Sequence, residues 1–158
     1  MSEKEIPIIT RKQLIELLNE DLSREYQAII AYVNYSNVIK GAQYMAIAAE
    51  LAKHAHEELE HAMIVADQID YLGGMPTVTP KVVKTSEKAE DMLRFDLDNE
   101  NVTIANYRVR VRQAEALSEY AIAENLRGIL VQEQEHQHDL ATALGEDVPD
   151  VAKIEQTA

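Results

Sequence analysis

Two copies of the pattern Glu-x-x-His are the residues of this chain best suited to chemistry. The first copy runs from Glu58 to His61, and the second runs from Glu133 to His136, 75 residues later. Residues three apart on a helix share one face, so each copy can present a carboxylate and an imidazole to the same ion. The repeat therefore predicts two equivalent halves of one metal centre.

The repeat extends upstream of both copies. Glu25 and Glu100 are also 75 residues apart, and each precedes its Glu-x-x-His by the same distance. Tyr32 and Tyr107 follow these glutamates by seven residues, which is two helical turns. Each half of the chain thus offers one lone glutamate, one tyrosine and one Glu-x-x-His.

The ligand types indicate which ions the centre would hold. Four carboxylates carry a charge of −4, which two divalent cations would neutralise. Oxygen and nitrogen donors of this kind suit iron or manganese better than structural zinc, which is tetrahedral and often bound by thiolates. We predict a centre of two iron ions, with manganese as an alternative, and the ligands Glu25, Glu58, His61, Glu100, Glu133 and His136.

Apolar stripes of helical period predict the elements that position these residues. The predicted helices span about residues 11–39, 43–71, 87–116 and 118–144, with N-caps at Thr10, Ser86 and Ser118. In each helix one ligand glutamate takes a place in the apolar stripe, about 14 to 16 residues from the helix start. All four glutamates are therefore expected at the same height in a bundle.

The segment 73–85 has no helical period and contains glycine and proline. It is long enough to run back along a helix pair and leave the second and third helices parallel. The sequence thus predicts an all-α four-helix bundle with a long crossover. We expect one domain over residues 1–158 and a short C-terminal tail with one helical turn near 151–156.

Composition excludes several classes of function. The chain has 15 basic and 28 acidic residues, a net charge of −13 and no cysteine. The acidic charge argues against nucleic acid as a partner, and the lack of cysteine excludes thiolate metal sites and thiol catalysis. Neither a signal peptide nor a membrane span is expected, so we predict a cytoplasmic protein that does not bind membranes.

Other polar residues receive weaker assignments. His54 lies on the ligand stripe and is expected to be buried. It is either a core histidine with hydrogen-bond partners, or an additional metal-binding position or proton carrier. His56, His138 and the acidic residues Glu57, Glu60, Glu135 and Asp139 are expected on solvated faces. Without a cation, the four ligand carboxylates should have raised pKa values, and the two buried imidazoles should prefer to be neutral.

At these residues the chain resembles the ferritin-like superfamily, and within it bacterioferritin. The stretches "EELEHA", "DMLRFDLDNE" and "LRGILVQEQEH" carry the resemblance, which covers about residues 14–144. The resemblance implies a ferroxidase centre in which Glu58 and Glu133 bridge the two irons and Tyr32 is the neighbouring catalytic tyrosine. It also implies Fe²⁺ and O₂ or H₂O₂ as reactants, and a homo-oligomer from a dimer up to a shell of 24 subunits.

Two departures from bacterioferritin limit the expectation. Leu59 stands where that family has its haem-ligating methionine, so no haem is expected here. The tail after Leu144 is shorter than the family's, so no full fifth helix, the element that lines the four-fold channels of the 24-subunit shell, is expected.

Three other functions fit a di-metal bundle. A rubrerythrin-like peroxidase would act without storing iron and would be a small oligomer. A manganese catalase would hold two manganese ions in place of the two irons. A DNA-protecting mini-ferritin usually builds its centre between subunits, whereas all six ligands are present in this chain.

Overall fold

Four long α-helices dominate the computed structural model, which describes residues 5–153. The helices are α1, Arg11–Val38; α2, Met45–Tyr71; α3, Ala89–Ala116; and α4, Tyr120–Ala143. Short 3-10 turns lie at Ala42–Tyr44 and Val151–Lys153. The prediction of an all-α four-helix bundle is confirmed. None of the described helices has the length and apolarity needed to cross a membrane.

The helices form a square in which α1 packs against α2 and α3, and α4 packs against α3 and α2. Side-chain contacts show that α1 and α3 are antiparallel, since Tyr32 bonds to Glu100 while Asp21 bonds to Arg110. Helices α2 and α4 are antiparallel by the same criterion. Short turns join α1 to α2 and α3 to α4, so α2 and α3 run parallel on one diagonal, as predicted.

The crossover between α2 and α3 runs along α1. The Asn19 side chain donates to the carbonyl of Met75 and accepts from the amide of Thr77. Further on, the amide of Lys81 donates to the carbonyl of Ser23 over 3.1 Å. These bonds satisfy backbone groups of a segment that has no partner strand or helix of its own.

The structure has the predicted N-cap at Thr10 but not the N-caps predicted at Ser86 and Ser118. Thr10 and Gln13 form a capping box at the start of α1. Helix α3 begins at Ala89, because the Ser86 hydroxyl instead accepts from the amide of Lys88.

Ser118 does not cap α4 because it ends α3. It has φ of 60°, and its amide donates to the carbonyl of Glu115, while the Glu119 amide donates to Ala114. This pair of bonds is a Schellman motif with serine in the left-handed position that glycine usually takes. Helix α4 consequently starts at Tyr120 without a side-chain cap.

The tail forms one 3-10 turn, whose Val151 packs against Ile104 and Ala105 of α3. The later part of the turn predicted at 151–156 lies outside the described residues. The expectation of one domain over 1–158 likewise stays a prediction.

Two apolar clusters fill the bundle, and a polar layer separates them. One cluster joins the start of α1 to the end of α2 and includes Leu18, Val65 and Leu126. The other joins the opposite ends of these helices and includes Leu51, Leu97 and Leu140. The apolar clusters fix the heights of the four helices, and this places the intervening polar side chains opposite one another.

Candidate metal centre

All six predicted ligands meet in the polar layer. Each is at most 3% exposed. α1 contributes Glu25, α2 contributes Glu58 and His61, α3 contributes Glu100, and α4 contributes Glu133 and His136. The structure thus brings together side chains that are up to 111 residues apart in sequence, from Glu25 to His136.

The six side chains form two overlapping groups. In each group, one donor atom from every member lies within 4.8 Å of the others. The first group is Glu25, Glu58, His61 and Glu133, and the second is Glu58, Glu100, Glu133 and His136. Glu58 and Glu133 belong to both groups, which is the arrangement that bridging carboxylates require. Their bridging role and the ligand set itself stay predictions.

His61 turns one ring nitrogen towards the carboxylates and the other away from them. Its Nδ1 lies 2.9 Å from Glu58 Oε2, 3.2 Å from Glu133 Oε1 and 3.8 Å from Glu25 Oε2. Its Nε2 lies 2.6 Å from Gln132 Oε1. A ligand histidine commonly donates its outer N–H to an oxygen in this way, which fixes the ring and leaves the inner nitrogen for a metal.

His136 repeats this arrangement in the second group. Its Nδ1 lies 3.1 Å from Glu58 Oε1, 3.4 Å from Glu133 Oε2 and 3.7 Å from Glu100 Oε1. Its Nε2 lies 3.1 Å from Glu57 Oε2. The outer partner here is a carboxylate, which makes the imidazole a stronger electron donor than an amide partner would.

The two tyrosines occupy equivalent places across α1 and α3. Tyr32 donates its hydroxyl proton to Glu100 Oε1 over 2.5 Å, and Tyr107 donates to Glu25. Burial, followed by the neighbouring carboxylates, raises the pKa of both phenols well above the usual value, so both remain protonated donors. Each tyrosine therefore orients the lone glutamate of the opposite half of the repeat.

The carboxylates do not titrate alike. Burial raises the pKa of Glu58 well above its usual value and that of Glu133 to about 8, and the other carboxylates of the cluster add to both shifts. Burial also acts to raise the pKa of Glu100, but the nearby His136 imidazole and the hydrogen bond from Tyr32 outweigh it and lower that pKa. The expectation of raised pKa values is thus wrong for Glu100, because a donor and a cationic ring both stabilise its ionised form.

The expectation of neutral ligand histidines is also wrong. Burial alone would lower the pKa of His61 and His136, but the carboxylates that surround each Nδ1 atom outweigh it and raise the pKa of both. In the absence of a metal, protons on the imidazoles and on Glu133 therefore balance part of the carboxylate charge. A cation would compete with these protons.

Unsatisfied oxygens show that the residues fit a metal. Both oxygens of Glu133 and Oε2 of Glu100 are buried and accept no well-aligned hydrogen bond from any residue between 5 and 153. The Nδ1 atoms of His61 and His136 lie near Glu133, but their hydrogen bonds go to Glu58. Buried carboxylate oxygens without partners are costly, and a bound cation would satisfy them. The oxygen and imidazole donors suit iron or manganese.

Sequence reasoning missed several residues around the centre. Glu57 and Asp139 were expected in solvent, but Glu57 bonds to His136 and Asp139 bonds to His54. The expectation of a solvated face is wrong for Glu57, whose side chain is 13% exposed, and holds in part for Asp139, whose side chain is 38% exposed while bonding to His54. Both contacts arise because α2 and α4 face each other closely at these positions. Asp96 is buried, and burial together with Glu100 raises its pKa well above normal. Its place one turn before Glu100 was the available signal.

The other polar side chains lie where they were expected. His56, His138, Glu60 and Glu135 are exposed. His54 is buried, as expected, and its ring stacks on that of His136 with centroids 3.9 Å apart. Leu59 points to solvent with half of its surface exposed.

Comparison with known proteins identifies relatives. The sequence model of the ferritin family, a ferritin-like domain, matches residues 15–147. The bacterioferritin of Desulfovibrio desulfuricans is 28% identical over 127 residues, which cover 80% of this chain and 71% of the relative. The bacterioferritin of Streptomyces coelicolor is 27% identical over 152 residues, which cover 92% and 91%.

Solved structures agree with the sequence relatives. A ferritin-like, diiron-carboxylate protein from Bacillus anthracis superposes with a TM-score of 0.81 at 34% identity, over 85% of this chain and 96% of that one. A dodecameric thioferritin, the bacterioferritin-related protein of Bacteroides fragilis, has a TM-score of 0.80 at 28% identity, over 94% and 92%. The predicted family is confirmed: the chain belongs to the ferritin-like family.

Proposed function

We propose that this protein is a ferroxidase that binds two Fe²⁺ ions at the Glu₄His₂ centre and oxidises them with O₂ or H₂O₂. The observation that carries the proposal is the pair of overlapping donor groups that share Glu58 and Glu133. Each group has its own histidine and its own lone glutamate, so two ions can bind in equivalent surroundings. The membership of the chain in the ferritin-like family supports the same chemistry.

The reaction balances with iron as the substrate. Two Fe²⁺ ions supply two electrons, which with two protons reduce O₂ to H₂O₂ or reduce H₂O₂ to two molecules of water. The irons supply the redox chemistry. The four carboxylates neutralise the charge of two divalent ions, and the apolar clusters on both sides exclude bulk water.

The chain's own residues position the ligands and manage protons. Gln132 and Glu57 hold the outer nitrogens of His61 and His136, which directs both Nδ1 atoms inwards. Tyr32 holds Glu100, and Tyr107 holds Glu25 in the equivalent way. Of the two, Tyr32 is the catalytic tyrosine of the proposal, because it matches the tyrosine beside the ferroxidase centre of bacterioferritin. Binding of Fe²⁺ displaces the protons that the cluster holds without metal.

We also propose that the protein is a homo-oligomer that stores the ferric product if it closes into a shell. The thioferritin relative is a dodecamer, and twelve subunits lie within the predicted range from a dimer to 24. Size-exclusion chromatography separates these cases. A dimer that reduces H₂O₂ without retaining iron would instead favour the rubrerythrin-like peroxidase.

The experiment that tests the proposal is stopped-flow measurement of Fe²⁺ oxidation. Glu58→Ala removes a shared ligand, and we expect loss of rapid oxidation at unchanged helical circular dichroism. Glu135→Gln is the matched control, because it removes a carboxylate on α4 that is exposed and outside the centre. Normal initial oxidation by Glu58→Ala would refute the proposal.

A further inference from the structure

A third group of metal-binding side chains lies outside the six ligands. One donor atom each of Glu50, His54 and Asp139 lies within 4.8 Å of the others. Glu50 and His54 are one turn apart on α2, and Asp139 faces them from α4, with its Oδ2 3.1 Å from His54 Nε2. The antiparallel packing of α2 and α4 creates this group, which the 75-residue repeat does not contain because Ile129 stands at the position equivalent to His54.

The histidine of this group is built into the bundle. His54 is 1% exposed, its ring stacks on His136, and Tyr32 meets it edge-on at 5.1 Å between ring centroids. Its Nδ1 is buried and has no hydrogen-bond partner within residues 5–153. The ring is thus held in one orientation, and one of its nitrogens is unsatisfied.

The carboxylates of the group connect the histidine to solvent. A surface cavity of about 350 Å³ opens between the start of α2 and the end of α4, and Glu50 and Asp139 are among the residues that line it. His54 contacts Asp139 on one side and His136 on the other. An ion that entered the cavity would therefore reach Glu50 and Asp139 first, one imidazole away from the central ligands.

The second carboxylate distinguishes an ion site from an ordinary buried histidine. Asp139 alone would satisfy the Nε2 atom of a buried histidine. Glu50 adds a second acidic group within 4.8 Å, and a bound cation would relieve the repulsion between the two carboxylates. Two carboxylate oxygens and one imidazole nitrogen suit Fe²⁺, Mn²⁺, Co²⁺ or Zn²⁺.

We propose that Glu50, His54 and Asp139 form a third divalent-cation site beside this cavity, whose lining includes the two carboxylates. The two carboxylates neutralise the ion, and water completes its coordination from the cavity side. The site lies beside the central ligands and is a staging position for cations on their way to them. The staging role rests on the proposed di-metal centre, whereas cation binding at Glu50, His54 and Asp139 can be tested without it.

The test is an anaerobic titration of the metal-free, full-length protein with Co²⁺, which binds such ligands without being oxidised. We expect about three tightly bound ions per chain, two at the centre and one at the third site. Glu50→Gln and Asp139→Asn should each weaken one of the three by about tenfold or more and leave two. Glu135→Gln, which removes a charge one turn from Asp139, should retain three.

Anomalous diffraction from Co²⁺-soaked crystals locates the third ion, with a peak expected between Glu50, His54 and Asp139. Glu58→Ala separates the two proposals, since it should weaken the central ions and keep this peak. The proposal is overturned if both variants bind as many ions as the wild type, or if no peak appears beside His54. Both substituted carboxylates reach the cavity, so the variants are expected to fold.

Discussion

The metal-free protein should lose stability as pH rises from about 5.5 to about 7.5. The pKa of Glu133 is raised from 4.5 to about 8 in the folded chain. Between these values the native state holds a proton that the unfolded chain has released, so increasing pH favours unfolding. Glu58, whose pKa is also raised by burial, acts in the same direction.

The histidines reinforce this slope above about pH 6.5. The pKa of His61 and that of His136 are raised, so their stabilising effect is complete below the unfolded value of 6.5 and is lost as pH rises towards the folded value. Glu100 affects stability in a different pH range, because its lowered pKa matters only below the unfolded value of 4.5. The pKa of His54 is lowered by burial and by His136, so this residue opposes the trend, but only below pH 6.5.

The size of the effect follows from the number of protons. One extra proton in the native state changes the free energy of unfolding by about 1.4 kcal/mol per pH unit. Glu133 alone should therefore remove roughly 3 kcal/mol over two pH units, and Glu58 adds to that. This is a large share of the roughly 5–15 kcal/mol free energy of unfolding of typical domains.

Urea denaturation of the metal-free protein at several pH values measures this slope. Glu133→Gln cannot titrate and should flatten the slope by about one proton, or about 1.4 kcal/mol per pH unit. Glu135→Gln, the exposed neighbour, should leave the slope unchanged. Bound divalent metal favours the ionised carboxylates and should reverse the slope, so that stability falls with acid. A metal-free protein whose stability rises steadily with pH would refute the reasoning.

Two further predictions concern Tyr32 and haem. Tyr32→Phe should slow Fe²⁺ oxidation about tenfold in stopped-flow measurements. Tyr107→Phe should lose a similar hydrogen bond, which would lower the free energy of unfolding in urea by about 1.5–3 kcal/mol, but should keep the wild-type rate of Fe²⁺ oxidation. Equal slowing by both would reduce Tyr32 to a purely positioning role. Because Leu59 offers no thioether, protein purified after haem supplementation should show no bis-thioether haem spectrum. A stoichiometric haem b signal would mean that another methionine, such as Met45 or Met63, ligates it.

The residues that repeat in sequence were predictable because helical geometry alone decides their neighbours. Glu58 and His61 share a face of α2 whatever packs against it. Their place in an apolar stripe also required burial, and the structure places both below 2% exposure. The crossover was predictable for a similar reason, since a long segment without helical period must span the bundle.

Features that depend on contacts between helices were not predictable. Glu57 and Asp139 look like surface residues in sequence, and only the close facing of α2 and α4 gives them histidine partners. The protonation of His61 depends on three carboxylates from three helices within 4 Å, which no local pattern encodes. Ser118 was misassigned because serine is a common N-cap and seldom takes a positive φ.

Anomalous diffraction at the iron edge from anaerobic, Fe²⁺-soaked crystals tests the central claim most directly. We expect two iron peaks about 3.5–4 Å apart, as in other two-metal sites, with Glu58 and Glu133 between them. One peak should lie beside His61 Nδ1 and the other beside His136 Nδ1. A single peak, or none within reach of Glu58 and Glu133, would contradict the account.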